Sequence, residues 1–521
     1  MIGLVTTGTT PSEIQIVTEE PQSVGTYVKI QHQKGDCLGL IEKSEAVSEA
    51  MNQEEITDWE TATETARMAK KNTRDIGYRA NVRVVGIIDE LKKGTTKIFP
   101  IPPNPSTAVH EVESKTLQEI FAPDDTKWTR IGDLLRTSDV DVKINLDEIV
   151  SRHLAILSMT GMGKSNFVTV LAREIAKREG AMIIFDYHDD YGELKLKDEK
   201  GKEIAVNHID AKITPRILDA EKFAELIDIP SGATRQREQL EGAFIAAQNE
   251  VEFWEVLENR IELIIQPQVV DPAVVQPDAN EDAVERRQQV RTARGLLTRV
   301  RRARRLYSNV IDPLVVEPRA SLHPHKINIL NARGFNEKQA DVGLGYYLET
   351  TFDDRKDAAT GERDVIFETP VLFVIEEAHT FIREGVDTDT KYISGKIAKE
   401  ARKFGMGLCI VSQRPSKVDE DVLSQMGSFA VLKMIQDRDQ KMVSGTSEDI
   451  TEELSRQLTS LNSGESLLTG RFVKIPTLAK IDDVSELKGF GSDISATEGW
   501  AKAKKMKKTK SSQELIDKDD I

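Results

Sequence analysis

From about residue 152 onward, short and wholly apolar runs alternate with longer polar, helix-prone stretches: 154–157, 181–185, 327–330, 371–375, 408–411 and 429–432. Runs of four or five aliphatic residues are too short for helices, and flanking helix formers mark them as buried strands of a largely parallel sheet. The first hundred residues read differently. Segments 14–17, 27–31, 38–42, 82–89 and 97–99 are short, β-prone and often bounded by Gly or Pro, which predicts a small barrel or sandwich. Among them, 45–71 is polar and helix-prone and reads as an insertion, and PIPPNP at 100–105 punctuates the chain. The interval between the second and third apolar runs of the later region is too long for one crossover, so a further domain must be inserted there. The expected organisation is a barrel over 1–105, an α/β core over 106–217 and 313–490, a helical insertion over 218–312 and a tail over 491–521.

A length of 521 residues suits about three domains and easily buries a large core. The two cysteines, Cys37 and Cys409, lie far apart, which excludes a disulfide framework or a metal knuckle and implies a reducing, cytoplasmic compartment. No signal-peptide pattern opens the chain and no apolar run reaches membrane-spanning length, so a soluble protein with no membrane partner is expected. The net charge of −16 excludes a surface that is basic all over. It leaves room for nucleic acid gripped in a local channel. Between Arg286 and Arg305 stand nine arginines and no acid, but Val290, Ala293, Leu297 and Val300 recur at helical spacing. These arginines either touch phosphates or form the solvated face of a packed helix. The lysine-rich tail could order against a neighbouring subunit.

The strongest chemistry is SMTGMGKS at 158–165, between an apolar strand and a helical stretch. Glycines let backbone N–H groups close on phosphate oxygens, a lysine answers the β/γ charge, and a small hydroxyl faces magnesium. Gly161, Gly163, Lys164 and Ser165 supply these, with Thr160, Met162 and Asn166 completing the expected nucleotide contacts. Ser158 replaces the usual first glycine. Hydrolysis further needs carboxylates near the metal and the attacking water. VLFVIEEAH at 371–379 ends a buried strand with two acids, where ligands collect in such sheets. Glu376 is assigned to magnesium, together with Ser165, and Glu377 to the water. Gln413 follows the strand 408–412 and fits a γ-phosphate or water sensor. Arg402 and Arg152 are candidates for neutralising transition-state charge, from the same subunit or a neighbour, or for structural salt bridges. Asp186, His188 and Asp190 make a weak metal pattern and are expected to organise the loop beside the nucleotide.

The ordered set SRHLAILSMTGMGKSN, IIFDYHDDYGEL, VLFVIEEAHTF, EARKFGMGL and VSQRPSKVDEDVLSQM resembles the archaeal HerA family, in the FtsK/HerA branch of RecA-like motor ATPases. The likeness covers nearly the whole chain. It implies a RecA-like P-loop ATPase core with a small N-terminal β-barrel and an inserted helical domain. It also implies a homo-hexameric ring that uses ATP and Mg2+ to translocate double-stranded DNA through a central pore, with a NurA-type nuclease in end resection. Lys164 and Ser165 then serve phosphate and magnesium, Glu377 activates water, Gln413 senses, and Arg402 and Arg152 reach the nucleotide in trans. Ser158 and Glu376 depart from the family pattern, where Gly and often Asp stand. Two alternatives remain open on sequence: another ring ATPase of this superfamily, acting in conjugation, packaging or protein remodelling, or a nucleotide-gated scaffold that regulates a nuclease.

Overall fold

Eleven strands form one continuous sheet in the computed structural model, which describes residues 1–48, 58–71, 76–198, 200–266, 279–315, 317–362, 364–446, 450–487, 497 and 500. Its first seven strands run parallel in the order Asn207–Asp210, Ile327–Asn331, Ala181–Asp186, Val371–Ile375, Met406–Ser412, Leu154–Leu157 and Ser428–Leu432. The central strands are buried on both faces, as their unbroken apolar runs require. All six runs read from the sequence are strands. Asn207–Asp210 was not foreseen, because its alternating pattern and single apolar isoleucine belong to an edge.

The sheet continues through four antiparallel strands, Glu465–Gly470, Thr477–Ile481, Trp128–Leu134 and Thr137–Asn145. None was expected. Trp128–Leu134 and Thr137–Asn145 precede the P-loop in sequence but close the far edge, and Arg130 holds that edge with ion pairs to Asp141 at 2.6 Å and Asp482 at 2.7 Å.

The N-terminal region is a closed six-stranded barrel, ordered Gly3–Val5, Glu13–Thr18, Ile76–Ile87, Gly35–Ser48, Tyr27–His32 and Ala108–Glu111. Alternation places Ile14 and Ile16 inside with Val28, Ile30 and Val82. Two details differ from expectation. Segment 97–99 is not a strand: Ile87 donates its amide to the Lys97 carbonyl at 2.8 Å, Phe99 stacks on His32, and the prolines that follow lack ladder donors. The closing strand is Ala108–Glu111, so the barrel reaches past the boundary expected at 105. Of the polar stretch 45–71, the start continues the long strand to Ser48 and Trp59–Lys71 is helical; the rest lies outside the described residues.

Helices Ala220–Leu226, Thr234–Ala247, Phe253–Ile265 and Ala279–Tyr307 build the inserted domain around its own core of Phe223, Phe244, Phe253 and Trp254. The last helix buries Ala293, Leu296, Val300 and Ala303. Arg301 and Arg304 pair with glutamates of Phe253–Ile265, and Arg286 and Arg299 donate to backbone carbonyls. Arg287, Arg291, Arg294, Arg302 and Arg305 have no hydrogen bond or ion pair among the described residues. Their spacing puts them on one stripe opposite the buried face. The tail from 491 lies outside the described residues, apart from 497 and 500. Among the described residues no helix is long and apolar enough to cross a membrane.

Candidate active site

The P-loop leaves the C-terminal end of Leu154–Leu157 and enters the helix Lys164–Ala176, two residues earlier than the polar pattern suggested. Gly161 and Gly163 have φ of 76° and 104°, the left-handed backbone for which a glycine is needed. Ser158 is not among the positive-φ residues, so its Cβ costs no backbone strain there. It is buried, donates its hydroxyl to the Met159 carbonyl at 2.6 Å and its amide to the Ser412 carbonyl at 3.1 Å. A residue with a side chain is tolerated because the backbone at this point is not left-handed.

Three adjacent strand ends converge on the loop. In the register of the sheet, Ile375 lies opposite Ile410, and Ser412 opposite Leu157, so the residues after each strand share one rim. Glu377 sits at φ 52°, which turns its carboxylate toward that rim. Gln413 links two partners: its Nε2 donates to Glu377 Oε1 at 2.6 Å, while its Oε1 accepts from the Thr160 hydroxyl. His379 Nδ1 lies 3.4 Å from the other Glu377 oxygen and 3.4 Å from Ser412 Oγ. The water-activating candidate is thus held from both sides.

Lys164 is 7% exposed and faces three acids. Burial pushes its ammonium below the usual lysine range, and Glu376, Glu377 and Asp190 oppose that shift. Glu376 is buried and its carboxyl is raised, mainly by desolvation and also by Asp190 and Glu377. The Tyr191 hydroxyl donates to it. Ser165 donates to Asp190 Oδ2 at 3.2 Å. The site therefore holds a lysine, a hydroxyl and several carboxylates beside a glycine-rich backbone loop, a donor set that fits a nucleoside triphosphate with a hard divalent cation. Among the described residues no group of three His, Cys, Asp or Glu is arranged to hold a metal ion.

Asp190 and Tyr191 touch the candidate residues Ser165 and Glu376, contacts not foreseen from the sequence. Asp186 shapes their loop by accepting the amides of Asp190 and Tyr191, both at 2.9 Å, and burial raises its carboxyl to about 6. The signal was available: FDYHDDY follows the strand beside the carboxylate strand. Asn166 stands in the first turn of the helix that follows the loop. Its carboxamide donates to the Asp482 carbonyl at 2.7 Å and accepts from the Val484 amide at 2.9 Å, so its side chain clamps the segment after Thr477–Ile481.

Arg152 and Arg402 are not brought to this rim. Arg152 ends the helix Leu146–Arg152 just before the P-loop strand, and Arg402 lies in the turn Ala401–Phe404 just before Met406–Ser412. Both stand at the N-terminal ends of parallel strands, about 13 Å or more from the P-loop end across a four-residue strand. Arg152 pairs with Glu148 at 3.1 Å, whereas Arg402 is exposed, with no ion pair among the described residues.

A pH test follows from Glu376. Its raised folded-state pKa means the native protein retains a proton that the unfolded chain has lost, so this contribution is full below the ordinary glutamate value and is lost as pH rises through the folded pKa. On moving from about pH 5 to about pH 8, the melting temperature of the nucleotide-free wild type should fall relative to Glu376→Gln. A difference that stays constant across that range would refute the buried, protonated Glu376.

The description "Helicase HerA, central domain" matches residues 129–351. A probable helicase of Methanocaldococcus jannaschii is 31% identical, covering 96% of this chain and 94% of its own. The DNA double-strand break repair helicase HerA of Saccharolobus solfataricus is 31% identical over 98% of this chain and 97% of its own. That of Sulfurisphaera tokodaii is 32% identical over 97% of each. Among solved structures, an unbound form of the bacterial conjugative coupling protein TrwBdeltaN70 is 11% identical and covers 71% of this chain and 92% of its own at a TM-score of 0.43, too remote to argue from. With identity above 30% sustained from end to end, and a nucleotide cradle facing paired carboxylates, the chain belongs to the HerA helicase family of P-loop ATPases.

Proposed function

We propose that this chain is one subunit of a hexameric ring that hydrolyses ATP with Mg2+ to translocate double-stranded DNA through its centre, acting with a NurA-type nuclease in end resection and double-strand break repair. One observation carries the reading: the rim holds neither of the two candidate arginines of its own chain. It has a cradle, carboxylates and a glutamine sensor, but the two candidate arginines lie at the opposite end of the sheet, one of them exposed and without an ion pair among the described residues. Sheets stacked around a ring would present that end to the next subunit's nucleotide, the arrangement of an arginine supplied in trans. The relatives named as break-repair helicases support the DNA substrate.

In this reading Lys164 would neutralise β/γ-phosphate charge, and Ser165, now bonded to Asp190, and Glu376 would hold the magnesium. Magnesium, when bound, draws charge off the phosphate oxygens. Glu377, held by Gln413 and His379, takes the proton of the attacking water. Gln413 touches both Glu377 and Thr160 of the P-loop, so a γ-phosphate that displaces Thr160 alters the hold on the general base. Arg402 and Arg152 stabilise the transition state of the adjacent site.

ATPase rates with and without linear duplex DNA, for wild type and Lys164→Ala and with and without the candidate nuclease, test the proposal. Wild type should be stimulated severalfold by duplex and Lys164→Ala should be inactive throughout. Turnover that ignores DNA in every combination defeats the translocase reading and favours a scaffold whose nucleotide state gates a nuclease.

A further inference from the structure

The helix Leu146–Arg152 ends on His153, whose backbone sits at φ 68° and ψ 160°. Essentially only glycine occupies that region without strain. A glycine would be the least costly residue there, yet the chain places an imidazole, 2% exposed. Both ring nitrogens are engaged. Leu408 donates its amide to Nδ1 at 3.0 Å, which leaves Nε2 protonated and facing the Ala398 carbonyl at 3.2 Å. The ring is therefore the neutral tautomer, and burial lowers its pKa to about 4.

The ring's two partners bracket one of the arginines, and its own backbone continues from the other. Ala398 lies in the last turn of Asp389–Glu400, which runs directly into the Ala401–Phe404 turn that bears Arg402. Leu408 lies in the strand Met406–Ser412 that leaves that turn and leads to Gln413. One ring thus holds the chain on either side of Arg402. Arg152 immediately precedes the ring. Its carbonyl accepts from the Gly427 amide at 2.7 Å, and Gly427 packs so closely that a Cβ there would come within 2.8 Å of Arg152. Among the described residues neither arginine is fixed by an ion pair to the other's element; the buried ring adds a polar link between them beside the pairing of the two strands that follow.

We infer that His153 is a positioning residue for ATP hydrolysis: its ring locks the Arg402 turn to the Arg152 helix end as one rigid edge, which presents both guanidinium groups together to the neighbouring subunit's nucleotide. This rests on the cross-subunit reading above. The ring itself touches no reacting atom; at the cost of a strained backbone, its two nitrogens join a backbone donor, Leu408, to a backbone acceptor, Ala398.

Two variants separate positioning from folding. Asn tolerates positive φ better than most residues and its carboxamide can reach Leu408, but it is too short for Ala398; Gly removes the strain and the strut together. For both His153→Asn and His153→Gly, kcat should fall by about tenfold or more while affinity for a fluorescent ATP analogue stays within about threefold of wild type. Mixed rings then decide where the defect acts. In equal mixtures with Lys164→Ala, about one interface in four joins an intact P-loop from the His153 variant to intact arginines from its neighbour, so activity should rise to about a quarter of wild type, well above either protein alone. Arg402→Ala mixed with Lys164→Ala is the calibrating pair. Rescue of Arg402→Ala without rescue of His153→Asn overturns the inference, as does unchanged kcat in His153→Gly or a loss of nucleotide affinity equal to the loss of kcat. Failure of both mixtures overturns the cross-subunit reading and this inference with it.

Discussion

Arg402→Ala should retain nucleotide binding close to wild type and lose about a thousandfold or more in kcat, the scale of an arginine that meets charge only in the transition state. The reason is positional. Arg402 lies at the N-terminal end of its strand, exposed, and no acid of its own subunit neutralises it among the described residues. A guanidinium that served only to hold the turn would be expected to have a local carboxylate. Steady-state ATPase assays beside equilibrium binding of a nucleotide analogue measure the split, and full activity in the variant removes Arg402 from the mechanism. Arg152, already paired with Glu148, should give a smaller loss, because part of its charge is answered within the subunit.

Glu377→Gln should be comparably severe, about a hundredfold to ten-thousandfold in kcat, since an amide cannot accept the water's proton. The substitution keeps shape, and the Gln413 amide still finds an oxygen to donate to. Nucleotide affinity should hold or tighten, because one negative charge is removed from beside the incoming phosphates. Trapping of bound ATP by the variant, seen by quench and chromatography, is the expected outcome; multiple turnovers at the wild-type rate would transfer the base to another group, with Glu376 the nearest carboxylate on the chain.

Much of this site could be read from the chain because its parts are short, local and chemically unusual. The four-residue run before SMTGMGKS and the five-residue run before Glu376 and Glu377 are buried on both faces, so their hydrophobicity is unbroken and their ends are sharply marked. Gln413 was legible for the same reason. The antiparallel edge was not, since Trp128–Leu134 and Thr137–Asn145 mix charged and apolar residues and gain their place only by pairing with Thr477–Ile481, far along the chain. Tyr191 was not singled out, and its contact with Glu376 exists only because two neighbouring strands bring them together. His153 was least visible of all. Nothing in SRHLAIL announces a left-handed residue where no glycine stands, and its partners lie some 250 positions away.

The inserted helical domain also bears on the order in which this chain can fold. Asn207–Asp210 and Ile327–Asn331 are neighbours in the sheet, yet the whole insertion separates them. Its two ends are zipped by the Ile213 amide to the Val310 carbonyl at 2.8 Å and the Asp312 amide to the Ile213 carbonyl at 2.9 Å. A bundle with its own aromatic core, once formed, brings those ends together before the sheet needs them, so a closure of roughly a hundred residues reaches the strands as a short hairpin-like connection. The insertion thus serves assembly as a molecular clasp, making a distant strand pairing kinetically local.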